Sequence, residues 1–380
     1  MAQRAYKVLF LLSSCICSPQ FTLAEEQSPL GKKLPQELEL IQVSQNQQHF
    51  VGKVSEKKFV VWGVNYDHDE QGRLLEDYWH QEWTTVVDDF AEMKELGINL
   101  VRIHLQLGKF MSSATEANQK ELGQLKKLVK LAEKTRLYLD ITGLACYHKA
   151  ETPKWYDALN EKDRWEVQVR FWQTIAQICN KCNAIFCYNL MNEPILPGAK
   201  QEREWVTGEL AGKSFVQRIS LDLKGRTREE VAEAWVGKLC QSIRKIDPHH
   251  MITVGVIPWA TVFPQAKPIF YAPPVAKHLD FVSIHFYPDQ KKSLEESIAA
   301  LKVYAINKPL VIEEIFPLKS SLEHTDAFIV ASEKYCAGWV SFYWGKTPQE
   351  YSKEKNLKSQ IMVKWLEYFE EKGKKLKAKE

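Results

Sequence analysis

The sequence predicts an α/β chain folded as one TIM-type (β/α)8 barrel, a single domain with a long insertion after the fourth strand. Three observations lead there. Eight short apolar or β-branched runs alternate with longer amphipathic stretches, the pattern of a parallel sheet covered by helices. No Gly-x-Gly-x-x-Gly follows the first run or occurs elsewhere, which argues against an open doubly wound sheet. The 380 residues accommodate a barrel of about 250 residues with room for insertions.

The strands are expected at 59–65, 99–104, 137–142, 184–190, 251–256, 281–285, 310–314 and 338–344. Between them, apolar residues recur at three- and four-residue spacing over 84–96, 119–134, 164–179, 229–246, 294–304 and 323–335, with a last helix over 359–371. The barrel domain should span 48–375, and 25–47, rich in Gln, Glu, Pro and Lys, reads as a loosely held lead-in. The connection from Leu190 to Met251 exceeds a normal loop and helix, so an insertion at about 195–250, patterned over 202–223, is expected to wall or lid the cleft.

At the N-terminus, Arg4 and Lys7 precede an apolar run from Val8 to Cys17 and a small-residue exit at Thr22-Leu23-Ala24. That order describes an export signal over 1–24, too short to span a bilayer comfortably, and implies a secreted, periplasmic or cell-envelope protein. Leu12-Ser13-Ser14-Cys15 offers a second reading, a lipoprotein anchored at Cys15. No later segment is apolar for long enough to insert stably in a membrane.

Charge excludes one class of partner. With 51 Lys and Arg against 48 Asp and Glu there is no basic footprint for a nucleic acid, and Lys372 to Lys379 read as a solvated helix end. The 12 Trp and 14 Tyr suit a carbohydrate binder, because sugar C–H faces stack on aromatic planes. Six cysteines follow the signal: Cys146, Cys179, Cys182, Cys187, Cys240 and Cys336. Cys179 and Cys182 lack a second pair at metal-site spacing, so disulfides after export, of undetermined pairing, or small buried thiols are favoured over zinc.

A β/α barrel assembles its site at the strand C-termini. The polar residues ending these runs are Arg102 and His104, Asn192 and Glu193, His285 and Tyr287, then Glu314, with Trp344 after the last. Glu193 and Glu314, on the fourth and seventh strands, supply two carboxylic acids facing one mouth, the pair that glycosidic bond cleavage requires.

Four motifs at four strand ends, Gly97-Ile-Asn-Leu-Val-Arg102, Tyr188-Asn-Leu-Met-Asn192-Glu193-Pro194, His285-Phe-Tyr287-Pro288 and Lys308-Pro-Leu-Val-Ile-Glu-Glu314, are similar in order and spacing to the cellulase-like retaining glycoside hydrolases of family five. The resemblance implies a β-glycosidase acting on a poly- or oligosaccharide by double displacement, with neither cofactor nor metal. It implies Glu193 as acid/base, Glu314 as nucleophile, Arg102 holding that carboxylate ionised, and Asn192 on the sugar 2-hydroxyl. His285 and Tyr287 would position the two carboxyl groups, and Trp344 would floor the subsite of the cleaved sugar. A binding barrel without turnover and a transglycosylase using the same covalent intermediate remain open.

Adjacent strand residues point to opposite faces, so only one of Glu313 and Glu314 is expected to look into the mouth. Glu314 is the aligned position, and Glu313 stands where the family usually has a small residue. Thr142 stands where the family often has His, which leaves His148 or His104 to share that work. Trp259, Trp155 and Trp79 are candidate sugar platforms or packing residues, and Asp67-His68-Asp69-Glu70 reads as an exposed loop.

Overall fold

The computed structural model describes residues 38–377. The export signal, Cys15 and the first part of the lead-in lie outside them. Eight parallel strands close into a barrel: β1 Val61–Tyr66, β2 Leu100–Gln106, β3 Tyr138–Ala145, β4 Ile185–Asn192, β5 Met251–Val256, β6 Val282–His285, β7 Leu310–Ile315 and β8 Gly338–Ser341. Each pairs with the next, and β8 returns to β1 through Gly338–Val61 to Ser341–Val64. Two end shifts matter for the site. β4 runs to Asn192, so Glu193 leaves the strand directly; β8 stops at Ser341, so Trp344 lies beyond it.

Helices Trp83–Glu95, Gln119–Thr135, Glu161–Cys179, Arg228–Arg244, Leu294–Lys302, Leu322–Ser332 and Leu357–Lys377 cover the barrel, with only Pro273–Ala276 and short turns between β5 and β6. Their starts carry the expected chemistry: Thr227 with Glu230 and Ser293 with Glu296 form capping boxes that satisfy backbone N–H groups. The aromatic excess goes largely into this wall. Trp62, Trp79, Trp172, Trp235, Trp339, Trp344 and Trp365 are fully buried, and Trp79 donates its indole N–H to Glu121, which makes it a packing residue.

A second core closes the N-terminal end. Ile41–Val43, Phe50–Gly52 and Lys58–Phe59 form an antiparallel sheet whose Phe50 packs edge-on against Phe186 and Phe281, with centroids at 5.0 and 5.3 Å. The lead-in thus gives way to ordered structure before residue 47, because Ile41 finds an apolar surface on the strand starts. The C-terminal end stays open for chemistry.

The insertion is a hairpin, Val206–Leu210 with Lys213–Arg218, joined to Pro194–Ile195. Ser214 N donates to Tyr147 O at 2.8 Å and Gln217 Nε2 to Leu144 O at 2.7 Å, so the hairpin stands beside the end of β3. The six cysteines are all free thiols, and burial pushes Cys179 and Cys187 far above the ordinary range, so the bridged reading finds no pair here. Among the described residues no helix is long and apolar enough to cross a membrane.

Candidate active site

Arg102 of β2 is fully buried at the centre of the mouth, and its guanidinium ties four strands together. Nε donates to Thr142 Oγ1 at 2.9 Å; Nη1 donates to Asn65 Oδ1 at 2.9 Å and Glu314 Oε1 at 2.7 Å; Nη2 donates to Asn192 Oδ1 at 2.8 Å. A planar fork suits this, since four of its five N–H groups are used in fixed directions and a buried cation without partners would be costly. Thr142, which departs from the family's usual pattern, accepts from the arginine. Asn192 Nδ2 donates to Phe215 O of the hairpin at 3.0 Å, which couples the insertion to the site.

Glu314 accepts from Arg102 on one oxygen and from Tyr287 Oη on the other, at 2.5 Å. Burial pushes its carboxyl up and the charge of Glu193 adds to that, against the pull of His285, Arg102 and Tyr287; the net direction is above the ordinary glutamate value. Burial and the Glu314 charge push the Tyr287 phenol far up, so it stays a donor. Glu193 meets His285 Nδ1 at 2.8 Å, and one oxygen each of Glu193 and Glu314, with a nitrogen of His285, lie within 4.8 Å of one another. The backbone of Glu193 takes φ +46°, uncommon for a side-chain-bearing residue, and its N–H is tied to Gly255 O at 2.9 Å. These three side chains have the spacing to chelate a cation, and Arg102 and Tyr287 each bond one oxygen of Glu314.

The expectation that only one of Glu313 and Glu314 faces inward fails. The register shifts on both sides of this part of β7, at Ile284/His285 and between Ile312 and Ile315, and such an irregularity re-aims side chains. Glu313 is consequently buried inside the barrel, 3.3 Å from both Arg102 Nη2 and His285 Nε2, and accepts from Asn189 Nδ2 at 2.8 Å.

Three other candidates are placed away from the carboxyl pair. Trp344 is fully buried and donates Nε1 to Asp89 Oδ1 at 3.0 Å, leaving no face for a sugar. Phe342 occupies the mouth instead, half-buried with its ring edge on Tyr287 at 6.3 Å. His148 sits 3.8 Å from the Asp77 carboxylate in a separate cleft of about 250 Å³ with Gln106 and Glu151. His104 contacts Asn65 Oδ1 at 3.1 Å and Tyr147 Oη, and burial and Arg102 hold it neutral. Trp259 is 44 % exposed, stacked on Phe263, and lines a cavity of about 540 Å³ together with Pro194 and Val256. Trp155 is half-buried against Tyr156.

The loop 67–70 is packed, not exposed. Asp67 is buried beside His68, His68 stacks on Tyr343 at 4.1 Å, and Glu70 accepts from Tyr343 and Lys358. Asn65 was missed, although as the polar last residue of the first expected strand it met the criterion applied to the other strand ends.

Comparison with known proteins fits this geometry. Residues 55–375 match the family described as Cellulase (glycosyl hydrolase family 5). No curated protein matches the chain. Among solved structures, it is similar to an exo-beta-1,4-mannosidase from Opitutaceae bacterium strain TAV5, at 16% identity and TM-score 0.63, over 87% of this chain and 62% of that one. It is also similar to the beta-mannanase of the blue mussel Mytilus edulis, at 16% identity and TM-score 0.58, over 86% of this chain and 95% of that one. A GH5_18 protein from Bifidobacterium longum gives 16% identity and TM-score 0.57, over 80% of this chain and 74% of that one. The chain thus spans less than two thirds of the mannosidase, and at this identity the likeness shows the fold. With a closed (β/α)8 barrel and a family match reaching from residue 55 to residue 375, this chain belongs to glycosyl hydrolase family 5, the cellulase family.

Proposed function

We propose that this glycosyl hydrolase cleaves β-glycosidic bonds of a poly- or oligosaccharide by double displacement, with Glu314 as nucleophile and Glu193 as acid/base. The observation that carries the reading is the carboxyl spacing: oxygens of Glu193 and Glu314 lie within 4.8 Å. Retaining pairs stand about 5–5.5 Å apart, whereas inverting pairs need about 6.5–9.5 Å to admit a water. In the first step the Glu314 carboxylate attacks the anomeric carbon while the Glu193 carboxyl gives its proton to the leaving oxygen. In the second, Glu193 takes a proton from water, which displaces Glu314 and releases the sugar. Arg102 and Tyr287 hold the attacking carboxylate through both steps, and Phe342 supplies the apolar floor assigned from sequence to Trp344.

An activated 2-deoxy-2-fluoro β-glycoside tests this. Intact mass should rise by one glycosyl unit, with the label mapped to Glu314. A label on another residue, or a folded protein that never labels across mannosyl, glucosyl and xylosyl donors, contradicts it. Because two of the similar structures are named as a beta-1,4-mannosidase and a beta-mannanase, mannosyl donors go first. Product analysis at high acceptor concentration separates hydrolysis from transglycosylation. We further propose export of the chain, on the basic, apolar and small-residue order of residues 4–24; N-terminal sequencing after Ala24 checks it.

A further inference from the structure

We propose that Glu313, backed by Asp140, is a positioning residue that orients His285 and through it the acid/base Glu193. The inference rests on the assignment of Glu193 given above.

Glu313 of β7 and Asp140 of β3 act on each other inside the barrel, and both are buried. Each keeps one oxygen, Oε1 of Glu313 and Oδ1 of Asp140, that no protein N–H or hydroxyl reaches. Two carboxylates cannot face each other in a dry interior without a proton between them. The surroundings decide where it resides. Arg102 from β2 and His285 from β6 both face Glu313, and Asn189 from β4 donates to it. The groups that favour an ionised Asp140 are Arg102 and Cys187 of β4, and burial outweighs them. Burial and the Glu313 charge accordingly drive the Asp140 carboxyl far up, while Arg102 and His285 overcome burial to hold Glu313 ionised. Asp140 is the acid and Glu313 the anion.

An anionic Glu313 at 3.3 Å requires a hydrogen on His285 Nε2. That fixes the ring's orientation and leaves Nδ1 toward Glu193 at 2.8 Å and Glu314 at 3.4 Å. Besides these three carboxyl groups, the charged or titratable groups acting on the imidazole are Arg102 and His104. Burial works against the imidazolium, but the Glu314 charge and the bonds to Glu193 and Glu313 push its pKa up to about 9. Nδ1 is therefore a donor to the catalytic carboxyl pair until the pH approaches that value, and becomes an acceptor above it. The arrangement repeats the logic of a carboxylate holding a histidine against a reacting group.

Asp140→Asn and Glu313→Gln separate this role from a merely structural one. An asparagine amide donates to Glu313 as the acid O–H does, so D140N should keep kcat, KM and the pH profile within about threefold of the unmodified enzyme on an aryl glycoside. E313Q removes the anion. It should lose about tenfold or more in kcat with little change in KM, and the alkaline limb should move to lower pH, because His285 loses a partner that favours its cation. A wild-type profile in E313Q, or an equal loss in D140N, overturns the proposal. Nitrogen-15 NMR of the histidines in the unmodified enzyme decides independently of turnover and of whether E313Q folds. His285 should carry a hydrogen on Nε2 at pH 7 and at pH 8, and a bare Nε2 at either pH overturns the proposal even if Glu314 labels as expected.

Discussion

The imidazole of His285 lies directly over the α-carbon of Gly255: a β-carbon at position 255 would fall 2.7 Å from Nε2 and still closer to Glu313 Oε2. The strand that supplies the carbonyl for Glu193 N–H is thus also the strand that lets the histidine and its carboxylate meet. Gly255→Ala should cost about 1–3 kcal/mol of stability by overpacking and lower kcat by about tenfold through displacement of His285. Thermal unfolding and steady-state kinetics check both; unchanged kcat would show that His285 need not hold this position.

Arg102→Lys should fold but lose at least about a hundredfold in kcat. A lysine ammonium can reach Glu314, but it cannot bond Asn65, Thr142 and Asn192 in the fixed directions the guanidinium uses. Kinetics on a substrate with a good leaving group measures this, and near-normal turnover would reduce the fork to a point charge.

The pH dependence follows from Glu314, which must be ionised to attack. Its pKa is raised, so the acid limb of kcat/KM should lie above the ordinary glutamate value. Tyr287→Phe removes a hydrogen bond to the charged form, which raises that pKa further and moves the acid limb to higher pH. A limb that stays in place or moves down in Y287F would contradict the assignment.

Phe342 and Trp344 should separate cleanly. Phe342→Ala should raise KM or lower kcat with little change in melting temperature, whereas Trp344→Ala should cost about 3–5 kcal/mol, since that indole is fully buried and bonded to Asp89. Fluorescence-monitored unfolding beside kinetics distinguishes them, and the opposite pattern would return Trp344 to the cleft.

Much of this was legible from residue order. Arg102, Asn192, Glu193, His285, Tyr287 and Glu314 end short apolar runs, and closing eight parallel strands brings such ends together. What escaped depends on contacts distant in sequence. The inward turn of Glu313 comes from register shifts of β7 against both neighbours, which strict strand alternation does not foresee. Trp344 is drawn outward by Asp89 on the first long helix, and Glu70 is covered by Tyr343, Tyr351 and Lys358 from the end of the chain. His148 pairs with Asp77 from the short helix Leu75–Tyr78. Apart from Glu313, each is settled by a partner some 70 or more residues away.

The central claim is that Glu193 gives and takes the proton. Glu193→Ala, assayed on an aryl glycoside with a good leaving group in rising azide, tests it most directly: deglycosylation should be slow without azide and recover with it, yielding a β-glycosyl azide. Wild-type turnover of natural substrate by Glu193→Gln, or an E193A enzyme that azide leaves unchanged while Glu314 still labels, would contradict it.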